Sequence, residues 1–283
     1  MNPRVGLVTC LIMPEPDPDA DLMAGALHAL SIDAEHVAWN DMTVDWSAFD
    51  LCVLRSCWDY HTDAERFLRW IDHAAARTTL LNPAPVVRAN IHKRYLADLE
   101  RAGLPIVPTA FLDRGCDTKL GTLLRERGWD DVVVKPCVSA GSANTRRFRP
   151  EGHAEGERFL ASLLPTRDMM VQPYLPSVET GGERSVIWID GSCTHIIEKQ
   201  PRFHDQDESV SEALAVTPEE AAMTRKAVEV VGEDLLYARL DTMRGPRGER
   251  LVSELELIEP SLFFVQSLAA LRAFVRGVER RVR

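Results

Sequence analysis

The sequence predicts a mixed α/β and α+β chain, a small parallel α/β unit followed by subdomains built on antiparallel hairpins, and three observations carry that prediction. Short apolar runs alternate with amphipathic stretches through the first part of the chain, the pattern of strands joined by crossover helices. Further along, β-branched runs flank two strong turn signals, the mark of hairpins. The chain has 283 residues, 45% hydrophobic and 27% charged. That matches ordinary globular averages and leaves room for two or three subdomains sharing a cleft, which excludes disorder and fibrous repeats.

Taken in order, residues 5–10 and 51–55 read as buried strands, and residues 21–30 and 63–76 as the helices of the first unit. Between them, Pro14-Glu15-Pro16-Asp17-Pro18-Asp19 is too rich in proline for a helix or central strand. It reads as a loop at a strand's carboxyl end, where open α/β sheets bind ligands. The pattern changes after Leu81-Asn82-Pro83, with a helix over 91–102 ended by Gly103 and Pro105 and strand-like residues 106–112. Val132-Val133-Val134-Lys135-Pro136 is a β-branched strand, and the small polar stretch from Ser139 to Thr145 behind it is a loop leading to another strand. Asp190-Gly191 joins strands over 185–189 and 194–199, and Arg244-Gly245-Pro246-Arg247-Gly248 joins strands over 237–243 and 250–258. An amphipathic helix over 265–278 covers that last sheet. These boundaries divide the chain into 1–85, 86–174 and 175–283.

A formal net charge of -10 argues against a large nucleic-acid footprint, which needs a concentrated excess of Lys and Arg. The apolar run after Met1 is too brief for a signal or membrane segment, so a cytoplasmic protein without membrane partner is expected. The six cysteines show no CxxC pair and read as buried free thiols.

Chemistry is concentrated late in the chain. In Ser253-Glu254-Leu255-Glu256-Leu257 the strand period puts Glu254 and Glu256 on one face, and an antiparallel hairpin can bring Asp241 beside them. Three converging carboxylates repel, and a hard divalent cation relieves them; a solvated polar face is the competing reading. Lys135 leaves a buried strand as a point charge suited to an anion, and Lys93 in His92-Lys93-Arg94-Tyr95 offers a second. In the loop behind Lys135, Ser139, Gly141 and Ser142 let backbone N–H groups approach phosphates, or form only a mobile turn. Met169-Met170-Val171-Gln172-Pro173-Tyr174-Leu175 offers apolar walls and edge hydrogen bonds for a flat ring through Gln172, Tyr174 and Leu175; a core strand and linker is the alternative.

This order of lysine, strand lysine with small-residue loop, apolar connector, and Asp with paired Glu on late strands resembles the ATP-grasp superfamily over residues 82–260. The preceding α/β unit looks like that superfamily's N-terminal substrate domain. The resemblance implies an ATP-grasp fold, with ATP and Mg2+ as cofactors. It also implies Lys93 and Lys135 on phosphates, Gln172, Tyr174 and Leu175 near adenine, and Asp241, Glu254 and Glu256 on magnesium. Many members carry Glu-x-Asn where this chain has Glu254-Leu255-Glu256, so a carboxylate replaces an amide and the number and spacing of ions stay open.

In such enzymes the γ-phosphoryl group passes to a carboxylate, and positioned cations neutralise the spreading charge. Arg239 shares a strand face with Asp241 and can steady the transferring group, with Lys199 and Arg202 as further anion contacts. Arg184 is a candidate substrate contact, and Glu183 can accept a ribose hydroxyl or orient Arg184; surface ion pairs are the alternative for each. In Arg55-Ser56-Cys57-Trp58-Asp59-Tyr60, Arg55 is assigned to a substrate carboxylate and Asp59 to an ammonium group. Trp58 and Tyr60 either line the site or cap the core. A small amino-acid-like substrate is inferred.

Together with Val138-Ser139-Ala140-Gly141-Ser142 and Glu254-Leu255-Glu256, the Arg55 segment is similar to the O-ureido-serine cyclo-ligase (D-cycloserine synthetase) group. That likeness implies intramolecular ring closure of O-ureido-D-serine and, as is common among relatives, a homodimer. An intermolecular amino acid or dipeptide ligase, a non-catalytic nucleotide-binding regulator, and phosphoryl transfer to an alcohol or water are the other readings.

Overall fold

A computed structural model describes residues 2–200 and 209–283 as three four-stranded sheets. The first is parallel, in the order β2 (Asp33–Ala38), β1 (Arg4–Thr9), β3 (Leu51–Ser56), β4 (Thr79–Leu81). Its crossover helices are α1 (Ala20–His28) and α2 (Ala64–Ala75). Helix α2 buries Phe67, Trp70, Ile71 and Ala74, the three-and-four spacing of one helical face, and the Asp63 carboxylate caps its first turn by accepting from the Arg66 N–H. β3 is buried along its whole length, as expected of a central parallel strand. Two strands of this sheet, β2 and β4, escape the sequence reading. β2 exposes Asp33, Glu35 and His36 and so lacks an apolar run, and β4 has only three residues.

Helices α3 (Ala84–Asn90) and α4 (Tyr95–Arg101) follow, where one helix over 91–102 was expected. The second sheet is antiparallel, in the order β5 (Ala110–Leu112), β8 (Met169–Pro173), β6 (Val132–Pro136), β7 (Arg146–Phe148). It is covered by α5 (Leu120–Arg127) and α6 (His153–Leu163) through Leu120, Leu124 and Leu160. A short helix, α7 (Val178–Gly181), leads into the third sheet.

The third sheet, also antiparallel, runs β10 (Ser192–Lys199), β9 (Glu183–Ile189), β11 (Tyr237–Arg244), β12 (Arg250–Glu256). Its first hairpin turns at Asp190 (φ 47°) and Gly191 (φ 97°), the left-handed pair a two-residue connection needs. Helix α8 (Pro218–Val231) packs on one face, started by a reciprocal Thr217–Glu220 capping box. Helix α9 (Leu268–Val282) packs on the other, and Phe274 and Val278 share one core with Leu27 of α1 and Ile187 of β9.

Residues 95–107, which the sequence reading grouped with the central unit, pack on the third sheet: Leu96, Leu99 and Ile106 lie in one core with Val186, Leu240 and Leu255. Backbone bonds between Val252 and residues 105 and 107 fix that attachment. The six cysteines are free thiols, with Cys116 and Cys193 half-buried. No helix among the described residues is long and apolar enough to cross a membrane.

Candidate active site

Alternation along strands decides what the third sheet presents. Asp241 and Arg239 of β11 stand directly opposite Glu254 and Glu256 of β12. On the other side Asp241 pairs with Ser185 of β9, and Lys199 of β10 pairs with Glu183. These residues share one face. The intervening Val186, Leu240 and Leu255 point to the opposite face and its core.

Two cations from elsewhere reach this face. Lys135, on β6 of the second sheet, donates to Glu254 Oε1 at 2.8 Å, and Lys93, from the turn between α3 and α4, donates to Oε2 at 3.2 Å. Lys93 Nζ also donates to the Ser139 carbonyl at 3.3 Å, and its backbone N–H bonds to the Cys137 carbonyl, which ties the two lysine segments together. Lys199 bridges Asp241 and Glu183, each at 2.9 Å. Arg239 forks onto Asp241, with Nε to Oδ1 and Nη2 to Oδ2 both at 2.9 Å, and bonds Glu256 as well.

Burial raises the cost of every charge here, and the partners decide which survive. Burial opposes ionisation of Glu254, but Lys135 and Lys93 outweigh it and hold the carboxyl well below the usual range. For Asp241 burial is likewise overcome, by Arg239 and Lys199, and its pKa falls to about 2. Glu256 goes the other way. Burial, reinforced by Asp241 and Glu254, outweighs Arg239 and pushes it up to about 7. Burial would discharge Lys93, yet Glu254 holds its pKa above the ordinary lysine value.

Among the described residues no three acidic side chains gather around one point; each carboxylate of the trio is turned toward a lysine or arginine. The donors nevertheless fit a hard divalent cation in kind, being carboxylate oxygens from two paired strands, with Glu256 short of counter-charge.

The other sequence candidates separate into groups. Ser139 is buried and close to Lys93, and Gly141 and Ser142 both take left-handed backbone angles, φ 55° and 59°, in the loop that follows. Gln172 is buried with its amide donating to Thr109 Oγ1 at 2.9 Å. Leu175 joins Val107, Leu251 and Met243 in a small apolar cluster between the second and third sheets. Tyr174 carries the Arg147 guanidinium 3.3 Å over its ring and bonds Glu179. Glu183 accepts from Ser253 at 2.6 Å beside Lys199.

Arg184 is not brought to this face. Being next to Glu183, it points to the opposite side, where Glu220 (2.6 Å) and Glu198 hold it. Arg55 is sealed at 1% exposure, bonded to the Pro260 carbonyl at 3.1 Å and stacked against Tyr237, so a diffusing carboxylate cannot touch it. Asp59 is engaged by Trp39 Nε1 (2.6 Å) and Asn40 (2.8 Å) instead of standing free for an ammonium group. Trp58 bonds the Glu259 carbonyl at 3.0 Å, and Tyr60 is buried with its hydroxyl toward the Glu259 carboxyl. Arg202 lies outside the described residues.

Sequence reasoning passed over Glu259, Tyr95 and Asn90. Tyr95 Oη accepts the Leu255 N–H, and the Asn90 amide bonds both Leu255 and Leu257, so the two fix the acidic strand from the α3–α4 side. Glu259 follows the end of β12, where period two no longer assigns a face; the only signal was a third acid just before Pro260.

Residues 5–82 match the family model described as D-cycloserine synthetase DcsG, N-terminal domain. The chain is 30% identical to cycloserine biosynthesis protein DcsG of Streptomyces lavendulae, over 99% of each chain. A crystal structure of D-cycloserine synthetase DcsG superposes with a TM-score of 0.91 at 30% identity, covering 99% of this chain and all of the other. The fold also matches the ATP-grasp ligase PsnB complexed with a minimal precursor (TM-score 0.68, 20% identity, 100% of both chains). It matches a D-alanine–D-alanine ligase from Bacillus anthracis at a TM-score of 0.68 and 16% identity, over 99% and 96%.

Proposed function

The chain belongs to the D-cycloserine synthetase (DcsG) family of ATP-grasp ligases, and from that premise we propose that it closes O-ureido-D-serine to D-cycloserine. It is an ATP-dependent ligase that forms a carbon–nitrogen bond, using ATP and Mg2+. The observation that supports the site assignment best is the convergence of Lys93 and Lys135, from separate segments, on one carboxylate of the Asp241–Arg239–Glu254–Glu256 face.

In this reading Lys93 and Lys135 leave Glu254 for phosphate oxygens, and the backbone at Ser139, Gly141 and Ser142 closes over them. Freed of the lysines, Glu254 joins Asp241 and Glu256 to hold Mg2+, which supplies charge neutralisation at the phosphates when bound. Leu175 and its apolar neighbours, with Gln172 and Tyr174 at the edge, receive adenine, and Glu183 takes the ribose. The substrate carboxylate attacks the γ-phosphorus, ADP leaves, and an acyl phosphate forms. Arg239 and Lys199 hold the reacting oxygens, as positioned cations do where negative charge spreads. Arg202 is assigned to the same anion. The ureido nitrogen bonded to oxygen then attacks the acyl carbon, phosphate departs and the five-membered ring closes. Water removes the carbamoyl group left on that nitrogen as carbon dioxide and ammonia.

Residues 1–85 serve as the substrate unit, 86–174 carry the lysines and loop, and 175–283 carry the acidic sheet. The same reading places the enzyme in the cytoplasm, as a homodimer, with a small-molecule substrate and no nucleic-acid partner. The test is incubation of purified protein with ATP, Mg2+ and O-ureido-D-serine. Stoichiometric phosphate and D-cycloserine are expected; ATP turnover without ring product, or no turnover, would remove the assignment.

A further inference from the structure

Among the described residues five acidic side chains lie at or beside the active face, and four already hold a cation: Glu254 with Lys93 and Lys135, Asp241 with Lys199 and Arg239, Glu256 with Arg239, Glu183 with Lys199. Glu259 is the exception. Its residue is 8% exposed, and no lysine, arginine or histidine among the described residues comes within ion-pair distance of its carboxyl. A carboxyl removed from water without a counter-ion ionises only at a cost, and an arriving cation would lift that cost.

Its position says what arrives. The Glu259 carbonyl is held by Trp58 Nε1 from the segment after β3, and Tyr60 of the same segment lies near its side chain. Glu259 therefore stands by the carboxyl end of the parallel sheet, the end at which open α/β sheets bind ligands. Glu256, Lys93 and the Arg239 guanidinium are its charged neighbours.

We propose that Glu259, supported by the Tyr60 hydroxyl, binds the α-ammonium group of the amino-acid substrate and so places its carboxylate before Arg239. The inference rests on the substrate class proposed above. An ammonium supplies the missing counter-ion, and three N–H donors satisfy Glu259 while leaving the reacting carboxylate free. Asp59, assigned that role by sequence, is occupied by Trp39 and Asn40.

The test is calorimetric titration, with a non-hydrolysable ATP analogue and Mg2+ present, of O-ureido-D-serine and of its counterpart lacking the amino group. Wild-type protein is expected to prefer the amine at least tenfold. Glu259→Gln should abolish that preference with nucleotide affinity unchanged, Glu259→Asp should restore part of it, and Tyr60→Phe should reduce it a few-fold. Equal binding of both ligands by wild type, or a full preference persisting in Glu259→Gln, would overturn the proposal. Should Glu259→Gln fail to fold, an undiminished preference in Tyr60→Phe together with Glu259→Asp has the same force. Ring closure by wild type is scored separately: an amine preference without ring product sinks the cyclo-ligase reading and leaves this one standing.

Discussion

The two faces of the third sheet carry ion clusters of similar make-up and opposite character. On the outer face Arg184 and Arg250 meet Glu220 and Glu198; Glu220 is 1% exposed and is also locked into the capping box of α8. Two positive and two negative side chains close on one another, all supplied by the sheet and the helix laid on it. On the inner face Lys199 and Arg239 meet Asp241, Glu256 and Glu183, but the set is completed by Lys93 and Lys135 from outside the sheet. Among the described residues, Glu256 there shares its one arginine, Arg239, with Asp241. A site is thus distinguished from a structural ion cluster by imported charge and unmet demand, not by the density of ion pairs.

That contrast is broken if the two clusters respond alike to mutation. Lys135→Met should lower turnover on the order of 10²- to 10³-fold, as loss of one positioned charge does, while thermal unfolding moves by roughly a few degrees, because Glu254 keeps Lys93 as a partner. Arg184→Met should do the reverse. Leaving Glu220 buried with its main partner gone costs about 3 kcal/mol, seen as a lower denaturation midpoint, with turnover per folded molecule kept within a few-fold. Equal activity losses in the two sets would erase the distinction.

A smaller effect sharpens it. Gly182 has φ +63°, and an added Cβ would stand 2.6 Å from the Lys199 carbonyl oxygen. Gly182→Ala should therefore cost roughly 1–3 kcal/mol of backbone strain and, by displacing Lys199, slow turnover more than it weakens nucleotide binding; unchanged steady-state kinetics would argue against Lys199 acting at the reacting oxygens.

The smallest expected effect concerns pH. Glu256 and Glu259 are raised to about 7 and about 8, in both cases chiefly by burial. A folded-state carboxyl pKa above its unfolded value stabilises at low pH and loses that contribution as pH rises through the folded pKa. Metal- and nucleotide-free protein should accordingly lose stability between the ordinary carboxyl range and about pH 8, and Glu256→Gln should flatten the slope in thermal melts. A slope untouched by that variant would show that Glu256 ionises freely.

How much of this was legible in the sequence follows the same physics. Period two placed Glu254 and Glu256 on one face, the hairpin brought Asp241 beside them, and the Asp190-Gly191 turn joined the strands of the first hairpin. The same alternation, applied to Glu183 and Arg184, would have separated them, so Arg184 was readable and was not read. Arg55 was not readable. Its tethers are Tyr237 and the Pro260 carbonyl, and nothing local to β3 reveals that the chain's end returns to cover it. Pro105 and Val107 attach their segment to the third sheet through Val252, a contact equally remote in sequence.

The central claim is that the inner face encloses a metal-bound nucleotide, and a crystal structure with ADP and Mg2+ tests it most directly. The account predicts Lys93 and Lys135 on phosphate oxygens, with carboxylate oxygens of Asp241, Glu254 and Glu256 turned to Mg2+ at about 2.0–2.1 Å. A nucleotide bound elsewhere, with Glu254 still clasped by both lysines, would contradict it.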